Sequence, residues 1–237
     1  MAKKLKVYIG IGHGGSDPGA VANGVKEKNA NLVIGRACAE ELERHGVEVM
    51  LSRTTDITEG TSAKVKECNT FAPNLAADIH NNAGGGDGAE VYHSINGGTG
   101  KELANNILIE VKAIGQNSRG AKTRKGNRGD YYGFIRDTNC PAVIVECAFL
   151  DNKTDVQIID TTAEQKTMGV AIAKGFLRQL GIAWKAPALE EPEDTIPDEE
   201  YLFRVQVGAY SSAEGAANMR DKLKAAGFPG IIVKSAK

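Results

Sequence analysis

The sequence predicts an α/β fold, in which a largely parallel β-sheet is covered on both sides by helices and is followed by a small C-terminal β-α-β unit. Two observations support this prediction. Short apolar runs alternate with segments of helical period over most of the 237 residues. An acidic, proline-rich segment then separates this region from a short tail. Hydrophobic content of 41% and charged content of 25% are ordinary for a soluble globular protein.

Five apolar runs have the length of buried strands. In chain order they span residues 5–11, 47–51, 75–80, 89–93 and 142–147. Apolar residues recur at three- and four-residue spacing in segments 26–45 and 163–180, which predicts a helix in each. We therefore expect a first domain over residues 1–184.

The composition changes after Trp184. Residues 185–200 contain three prolines and seven acidic residues, so we expect an extended linker there. Residues 201–210 alternate apolar and polar side chains like a strand, and Ser211 with Glu214 has the pattern of a capping box. A helix and a last strand, IIVKS, complete the predicted β-α-β unit over residues 201–237.

Composition also limits the function. A formal net charge of −1 gives no reason to expect nucleic acid as a partner, and no apolar run approaches the ~20 residues of a membrane span. The N-terminus is too polar for a secretory signal, so we expect synthesis in the cytoplasm without an export signal and release through a pore or by cell lysis. The four cysteines form no CxxC pair and are expected to be structural thiols.

Residues with metal-binding or acid–base side chains lie at three predicted strand ends. These are His13, His80 and Glu146, while Glu27 opens the first long helix on its apolar face. Open α/β sheets bind ligands outside the carboxyl ends of their strands. Each residue alone has a structural explanation, such as a helix-dipole role for Glu27. Together, two histidines and one glutamate would hold zinc with an open fourth position, beside a further carboxylate for proton transfer.

Four stretches resemble the motifs of a known family, the type-3 zinc N-acetylmuramoyl-L-alanine amidases. They are GHGGSDPGA (12–20), KEKN (26–29), DIHNNA (78–83) and PAVIVECAFLDN (141–152). The resemblance implies a three-layer α/β/α fold with a mostly parallel six-stranded sheet. It also implies that His13, Glu27 and His80 bind one zinc ion, that Glu146 is catalytic, and that the substrate is the amide between N-acetylmuramic acid and L-alanine in peptidoglycan.

The chain departs from this family at two places. The family usually has Asp-Pro before the Gly-His of the first motif, where this chain has Gly10 and Ile11. It usually has serine before the Ile-His of the third motif, where this chain has Asp78. None of these is a ligand position, so the departures bear on how the histidines are oriented.

Segment 119–136 is basic, glycine-rich and aromatic. We interpret it as a loop, either plainly solvated or placed beside the active site with its cations facing stem-peptide carboxylates; binding of single-stranded nucleic acid is the least favoured alternative. Asn81 and Arg136 are candidate substrate contacts. The glycine-rich residues 84–88 precede a strand, so they predict a rim loop rather than a phosphate cradle.

The tail resembles about half of a sporulation-related (SPOR) domain, a family that binds peptidoglycan glycan strands stripped of peptide. A single unit leaves three outcomes open: a homodimer through the tails, a natural continuation beyond Lys237, or packing on the first domain.

Alternative functions are a zinc peptidase cutting within the stem peptide and a non-catalytic wall-binding protein. A cysteine hydrolase using Cys147 is disfavoured, since that residue should point away from Glu146. The sequence does not distinguish a phage endolysin from a host autolysin.

Overall fold

The computed structural model describes residues 4–187 and 212–225. Residues 1–186 and 187–237 form two compact units. The first unit contains, in chain order, β1 (Lys6–Ile11), β2 (Val21–Ala22), β3 (Val25–Lys26), α1 (Glu27–Arg44), β4 (Glu48–Leu51), α2 (Thr61–Phe71), β5 (Leu75–Asn82), β6 (Ala89–Tyr92), α3 (Thr99–Ala113), β7 (Ser118–Lys122), β8 (Lys125–Gly126), β9 (Gly129–Asp130), α4 (Gly133–Asp137), β10 (Ala142–Phe149), a 3-10 helix (Asp155–Ile158) and α5 (Thr162–Gln179).

The main sheet has six strands in the order β4-β1-β5-β10-β6-β7 within the described ranges. All neighbouring pairs are parallel except β10 and β6. This confirms the predicted mostly parallel six-stranded sheet. The carboxyl ends of β1, β5 and β10 consequently meet at one edge, with β5 and β10 side by side at the centre.

Helices cover both faces of the sheet, which confirms the three-layer prediction. Alternate residues of β1 point to opposite faces, as the strand period requires. Val7, Ile9 and Ile11 are fully buried in the core that α1, α3 and α5 cover. Tyr8 is equally buried on the other face, where it packs with Phe134 of α4 and with Cys68 of α2. That second face carries the smaller apolar cluster.

The sixth strand lies where the sequence indicated a loop. β7 covers Ser118–Lys122 and α4 covers Gly133–Asp137, so the loop interpretation of segment 119–136 is wrong for those residues. The physical reason is the position of β7 at the edge of the sheet. An edge strand contacts one neighbour only and commonly carries charged residues, so it has no apolar run that would mark it in the sequence.

The second unit is described for one helix, α6 (Ala213–Ala225), which confirms a helix at the predicted place. The two strands predicted at 201–210 and 231–235 lie outside the described residues, and so does Ser211 of the expected capping box. Among the described helices, none has the length and apolar character needed to cross a membrane.

Candidate metal centre and active site

Three elements bring the candidate metal ligands to the carboxyl edge of the sheet. His13 follows β1 by two residues, and His80 lies near the end of the adjacent strand β5. Glu27 is the first residue of α1 and is 3% exposed, on the inward face that its helical register predicts. One ligand atom from each of the three residues lies within 4.8 Å of the others.

The carboxylate of Glu27 lies between the two imidazole rings. Its Oε1 atom is 3.2 Å from His13 Nε2 and 3.1 Å from His80 Nδ1. The rings stand nearly perpendicular, at 83°, with centroids 5.0 Å apart. Two imidazole nitrogens and one carboxylate oxygen this close together are a donor set that can hold a metal ion.

Backbone and side-chain donors hold Glu27 in this orientation. Its Oε2 atom accepts the Ala20 N–H at 2.9 Å, and its Oε1 atom accepts the Asn81 N–H at 3.1 Å. Asn31, one turn further along α1, donates its side-chain amide to Oε1 at 3.3 Å. The carboxylate is therefore fixed by the first turn of the helix and by β5.

The electrostatics of the cluster favour a cation. Burial would raise the pKa of Glu27, yet hydrogen bonds with His13 and His80 hold that pKa well below its usual value. Burial would lower the pKa of His80, yet the carboxylates of Asp78 and Glu27 raise it to about 10. With neutral imidazoles, the carboxylates of Glu27 and Asp78 would leave the cluster with uncompensated negative charge. Protons on the histidine rings compensate this charge, as a bound metal cation would.

Local backbone geometry leaves room for the histidines. His13 has φ 60°, a left-handed conformation that non-glycine residues seldom adopt outside functional sites. The turn after it is closed by two backbone hydrogen bonds between Gly14 and Asp17, at 2.9 and 3.1 Å. A Cβ atom at Gly12 would overlap the His80 ring. Glycine at position 12 is therefore required for His80 to reach Glu27.

Glu146 lies on β10 directly opposite His80 in the register of the two strands. Its Oε2 atom is buried without a hydrogen-bond partner. Burial raises the pKa of Glu146 to about 7, with His80 acting in the opposite direction and Glu27 acting with burial. An ionisable carboxyl group with a free lone pair, beside a metal-binding cluster, has the properties of a general acid–base group.

A cavity of about 180 Å³ opens beside this carboxylate. Its lining residues are Thr61, Asp78, His80, Tyr132, Gly133, Phe134, Ile144 and Glu146. A larger cavity, of about 330 Å³, has a lining that includes Glu110 of α3 and Arg178 of α5, which form an ion pair. His80 and Glu146 line the smaller cavity and neither lines the larger one, so the candidate active site is at the smaller cavity.

The two candidate substrate contacts bond within the protein. Asn81 is 4% exposed and donates its side-chain amide to Asn31 at 2.7 Å, on the face opposite the cavity. Arg136 donates to the backbone oxygens of Asp130 and Tyr131 at 3.0 and 3.3 Å, at the rim formed by α4. Substrate contact by either residue stays a prediction.

Cys147 is fully buried in the larger core, on the face away from Glu146. Burial raises the pKa of its thiol well above the ordinary value. This contradicts a role as a nucleophile, because the thiolate is the reactive form.

Tyr132 belongs to segment 119–136, for which the sequence left open a position beside the active site. It lines the cavity and contacts Tyr92, with ring centroids 5.0 Å apart. Other residues near the cavity were not identified from the sequence. Lys64 of α2 is 3% exposed and pairs with Asp78. The departure of Asp78 from the family pattern was the one signal in the sequence for this pair; the spacing of Lys64 gave none.

An α/β sheet with two histidines, a glutamate and a protonatable carboxyl group at its carboxyl edge defines a hydrolase with a candidate metal site. The family model described as N-acetylmuramoyl-L-alanine amidase matches residues 7–178. The chain belongs to the N-acetylmuramoyl-L-alanine amidase family. It is an enzyme that hydrolyses the amide bond between N-acetylmuramic acid and L-alanine in peptidoglycan.

Similar proteins cover the same region and, in one case, nearly the whole chain. The N-acetylmuramoyl-L-alanine amidase CwlM of Bacillus licheniformis is 30% identical over 233 residues, which is 97% of this chain and 85% of that protein. The solved structure of Cwp6 from Clostridium difficile is 38% identical with a TM-score of 0.73, over 76% of this chain and 30% of that one. The amidase AmiC2 of Nostoc punctiforme is 28% identical with a TM-score of 0.69, over 76% and 99%.

A second family model, the SPOR domain, matches residues 173–234. Its range begins within α5 and overlaps the end of the amidase match. The chain therefore combines an amidase domain with a SPOR domain.

Proposed function

We propose that the amidase reaction of this chain depends on one zinc ion held by His13, Glu27 and His80. The support is the donor set, in which three ligand atoms lie within 4.8 Å of one another. Three protein ligands leave a fourth position open, as in hydrolytic rather than structural zinc sites. When bound, zinc supplies positive charge that acidifies a water molecule and polarises the scissile carbonyl group.

Glu146 moves the protons. Its unpartnered Oε2 atom accepts a proton from the attacking water and then delivers it to the departing amine of L-alanine. A pKa raised by burial to about 7 suits both steps, because the group can give up and take a proton near neutral pH. The single observation that carries the assignment of Glu146 is its buried, unpartnered Oε2 atom on the strand position opposite His80.

The cavity walls position the substrate. Thr61 at the start of α2 and Tyr132 before α4 line the cavity, and each carries a hydroxyl group. Both can hydrogen-bond the acetamido or lactyl groups next to the scissile bond. The glycan-peptide then binds on the face of the sheet that α2 and α4 cover.

We also propose three functional regions along the chain: a catalytic domain over residues 1–184, a linker over 185–200 and a wall-binding unit over 201–237. The SPOR match supports attachment to peptidoglycan by the C-terminal region. The linker composition supports a tether that lets the catalytic domain reach amide bonds near the attachment point.

Metal analysis of the purified protein tests the proposal. We expect about one zinc per chain, loss of wall hydrolysis in excess chelator and recovery with added zinc. His13→Ala and His80→Ala should each lose both metal and activity, since each removes one of three protein ligands. Full activity in excess chelator is incompatible with the mechanism.

The products provide a matched test of the bond that is cut. Hydrolysis by an amidase releases a stem peptide with a new L-alanine amino group and leaves an N-acetylmuramic acid carboxylate. Appearance of any other new amino terminus would support cleavage within the stem peptide instead.

A further inference from the structure

A buried ion pair lies beside His80 on the cavity face of the sheet. The ammonium group of Lys64 is 2.8 and 2.9 Å from the two carboxylate oxygens of Asp78. Both side chains are 4% exposed. Lys64 comes from α2 and Asp78 from β5, so the pair joins the helix to the strand that carries the histidine.

Such a pair is weak evidence for stability. Removing two charges from water is costly, and replacing a buried ion pair by neutral residues often leaves the stability of the protein unchanged. The pair therefore has a role other than stability, and Asp78, which lies next to the His80 ring, indicates that role.

Asp78 faces the ring nitrogen of His80 that the metal site does not use. Asp78 Oδ2 is 3.5 Å from His80 Nε2, while His80 Nδ1 is 3.1 Å from Glu27 Oε1. The two ring nitrogens thus face a carboxylate on each side. Metal-binding histidines commonly direct their second nitrogen to a carboxylate, which fixes the tautomer and the ring orientation.

The neighbouring strand leaves space for this carboxylate. Gly10 of β1 is the register partner of Asp78. A Cβ atom at position 10 would lie 2.6 Å from Asp78 Oδ1, which is closer than real Cβ contacts. The Asp78 carboxylate can therefore occupy this position only because residue 10 is glycine.

The other histidine has a different arrangement. His13 Nδ1 is 2.8 Å from Asp17 Oδ2, but the Asp17 side chain is 55% exposed and lies on the same short turn. Solvent screens that contact, and water can replace it. Asp78 has no such alternative, because it is buried and anchored by Lys64.

We propose that Asp78, anchored by Lys64, is a positioning residue that holds His80 with Nδ1 toward the metal. In this arrangement Asp78 accepts a hydrogen bond from the Nε2–H group of His80. Lys64 holds the Asp78 carboxylate in place, and Gly10 leaves space for that carboxylate. The inference rests on the proposed zinc site and adds three residues to it, none of which touches the metal.

The experiment measures zinc affinity by competition with a chromophoric chelator. The double variant Lys64→Met with Asp78→Asn removes both buried charges together, so that neither remains unpaired. We expect its zinc affinity to fall by roughly 10–100-fold, the usual loss when the partner of a ligating histidine is removed. A control is Glu90→Gln with Lys122→Met, which removes a partly exposed ion pair between β6 and β7 and should leave zinc affinity unchanged.

Gly10→Ala provides a second variant that alters no charge. Its Cβ atom displaces the Asp78 carboxylate, so zinc affinity should fall in the same direction. Wild-type affinity in both Gly10→Ala and the charge-neutral double variant would overturn the proposal.

A measurement on the zinc-loaded wild-type protein does not depend on how well the variants fold. Nitrogen-15 NMR of the imidazoles should show His80 with a proton on Nε2 and the metal on Nδ1. The reverse assignment refutes the positioning role. Failure of the wild-type protein to bind zinc at all would instead refute the proposed metal centre, so the two failures are distinguishable.

Discussion

Glu146 differs from the other acidic residues of the site in its surroundings. Glu27 accepts several hydrogen bonds, and Asp78 accepts two from Lys64. The Oε2 atom of Glu146 has no partner, although it is buried. An unsatisfied buried polar atom is costly and therefore uncommon in native proteins. Such an atom next to a cavity indicates a group that bonds to the substrate or to the attacking water.

Glu146→Gln should retain zinc and lose most turnover. The amide has nearly the same shape but cannot accept a proton, and general acid–base steps typically contribute ~10²–10⁴-fold. Metal content and kcat on a soluble muropeptide are the measurements. Glu90→Gln is the matched control, since Glu90 is buried directly opposite Glu146 on β6 but bonds to Arg119 and Lys122. A normal kcat for Glu146→Gln would show that another group is the base.

The pH dependence of the reaction follows from the same carboxyl group. Burial raises the pKa of Glu146 to about 7. The protonated form cannot accept a proton from water, so kcat should fall as the pH falls through about 7. The pH profile of kcat measures this midpoint, and carbon-13 NMR of Glu146 assigns it to the residue. A kcat that stays constant while Glu146 becomes protonated would contradict its role as the base.

At the scale of elements, the packing of α5 against α1 depends on a glycine. Gly169 of α5 faces Ile34 and Ala37 of α1. A Cβ atom at position 169 would overlap the carbonyl oxygen of Ile34 and lie 2.8 Å from the Cβ of Ala37. Because α1 begins with Glu27, this contact also fixes the helix that carries a proposed metal ligand.

Gly169→Ala should lower the free energy of unfolding by about 1–3 kcal/mol, the usual cost of overfilling a packed interface. Gly100→Ala on α3 is the matched control. There the added Cβ would be 3.5 Å from the nearest atom, an ordinary contact, and the loss of chain entropy in the unfolded state should stabilise by about 0.4–1 kcal/mol. Urea unfolding of both variants compares them. A stability for Gly169→Ala at or above that of the wild-type protein contradicts the packing argument.

The sequence predicted the strands at the centre of the sheet because their apolar runs are continuous. Because ligands bind outside the carboxyl ends of strands in open α/β sheets, the residues after these strands were predicted to form a site. The structure brings His13, Glu27 and His80 together. It did not predict α2, whose buried side chains are Lys64 and Cys68 rather than an apolar stripe. The Lys64–Asp78 ion pair was not predicted either. It joins two residues that are distant in the chain, and such a contact leaves no periodic pattern in the sequence.

At the scale of the whole molecule, removing the C-terminal region should separate attachment from catalysis. A chain ending at Trp184 should keep its zinc and its kcat on soluble muropeptides, because the cluster and the cavity lie within residues 13–146. It should bind insoluble peptidoglycan less, since the SPOR match lies mostly beyond that point. Co-sedimentation with purified walls compares the two chains. Equal binding would mean that the catalytic domain alone holds the wall.

The same two chains test one of the outcomes that the sequence leaves open, a homodimer through the tails. Pairing of the tails gives a mass of two chains by light scattering for the 237-residue chain and of one chain for the version ending at Trp184. Two monomers at high micromolar concentration would rule out dimerisation through the tail.

The position of β10 has a consequence for the cell that makes this enzyme. Among the described strands of the main sheet it comes last in the chain, yet it lies between β5 and β6. During synthesis the ribosome completes all three proposed metal ligands before Glu146 emerges. An interrupted chain can hold those ligands but lacks the strand that completes the sheet and carries the proposed base. With the proposed role of Glu146, wall-degrading activity requires that β10 has been translated and has inserted between β5 and β6.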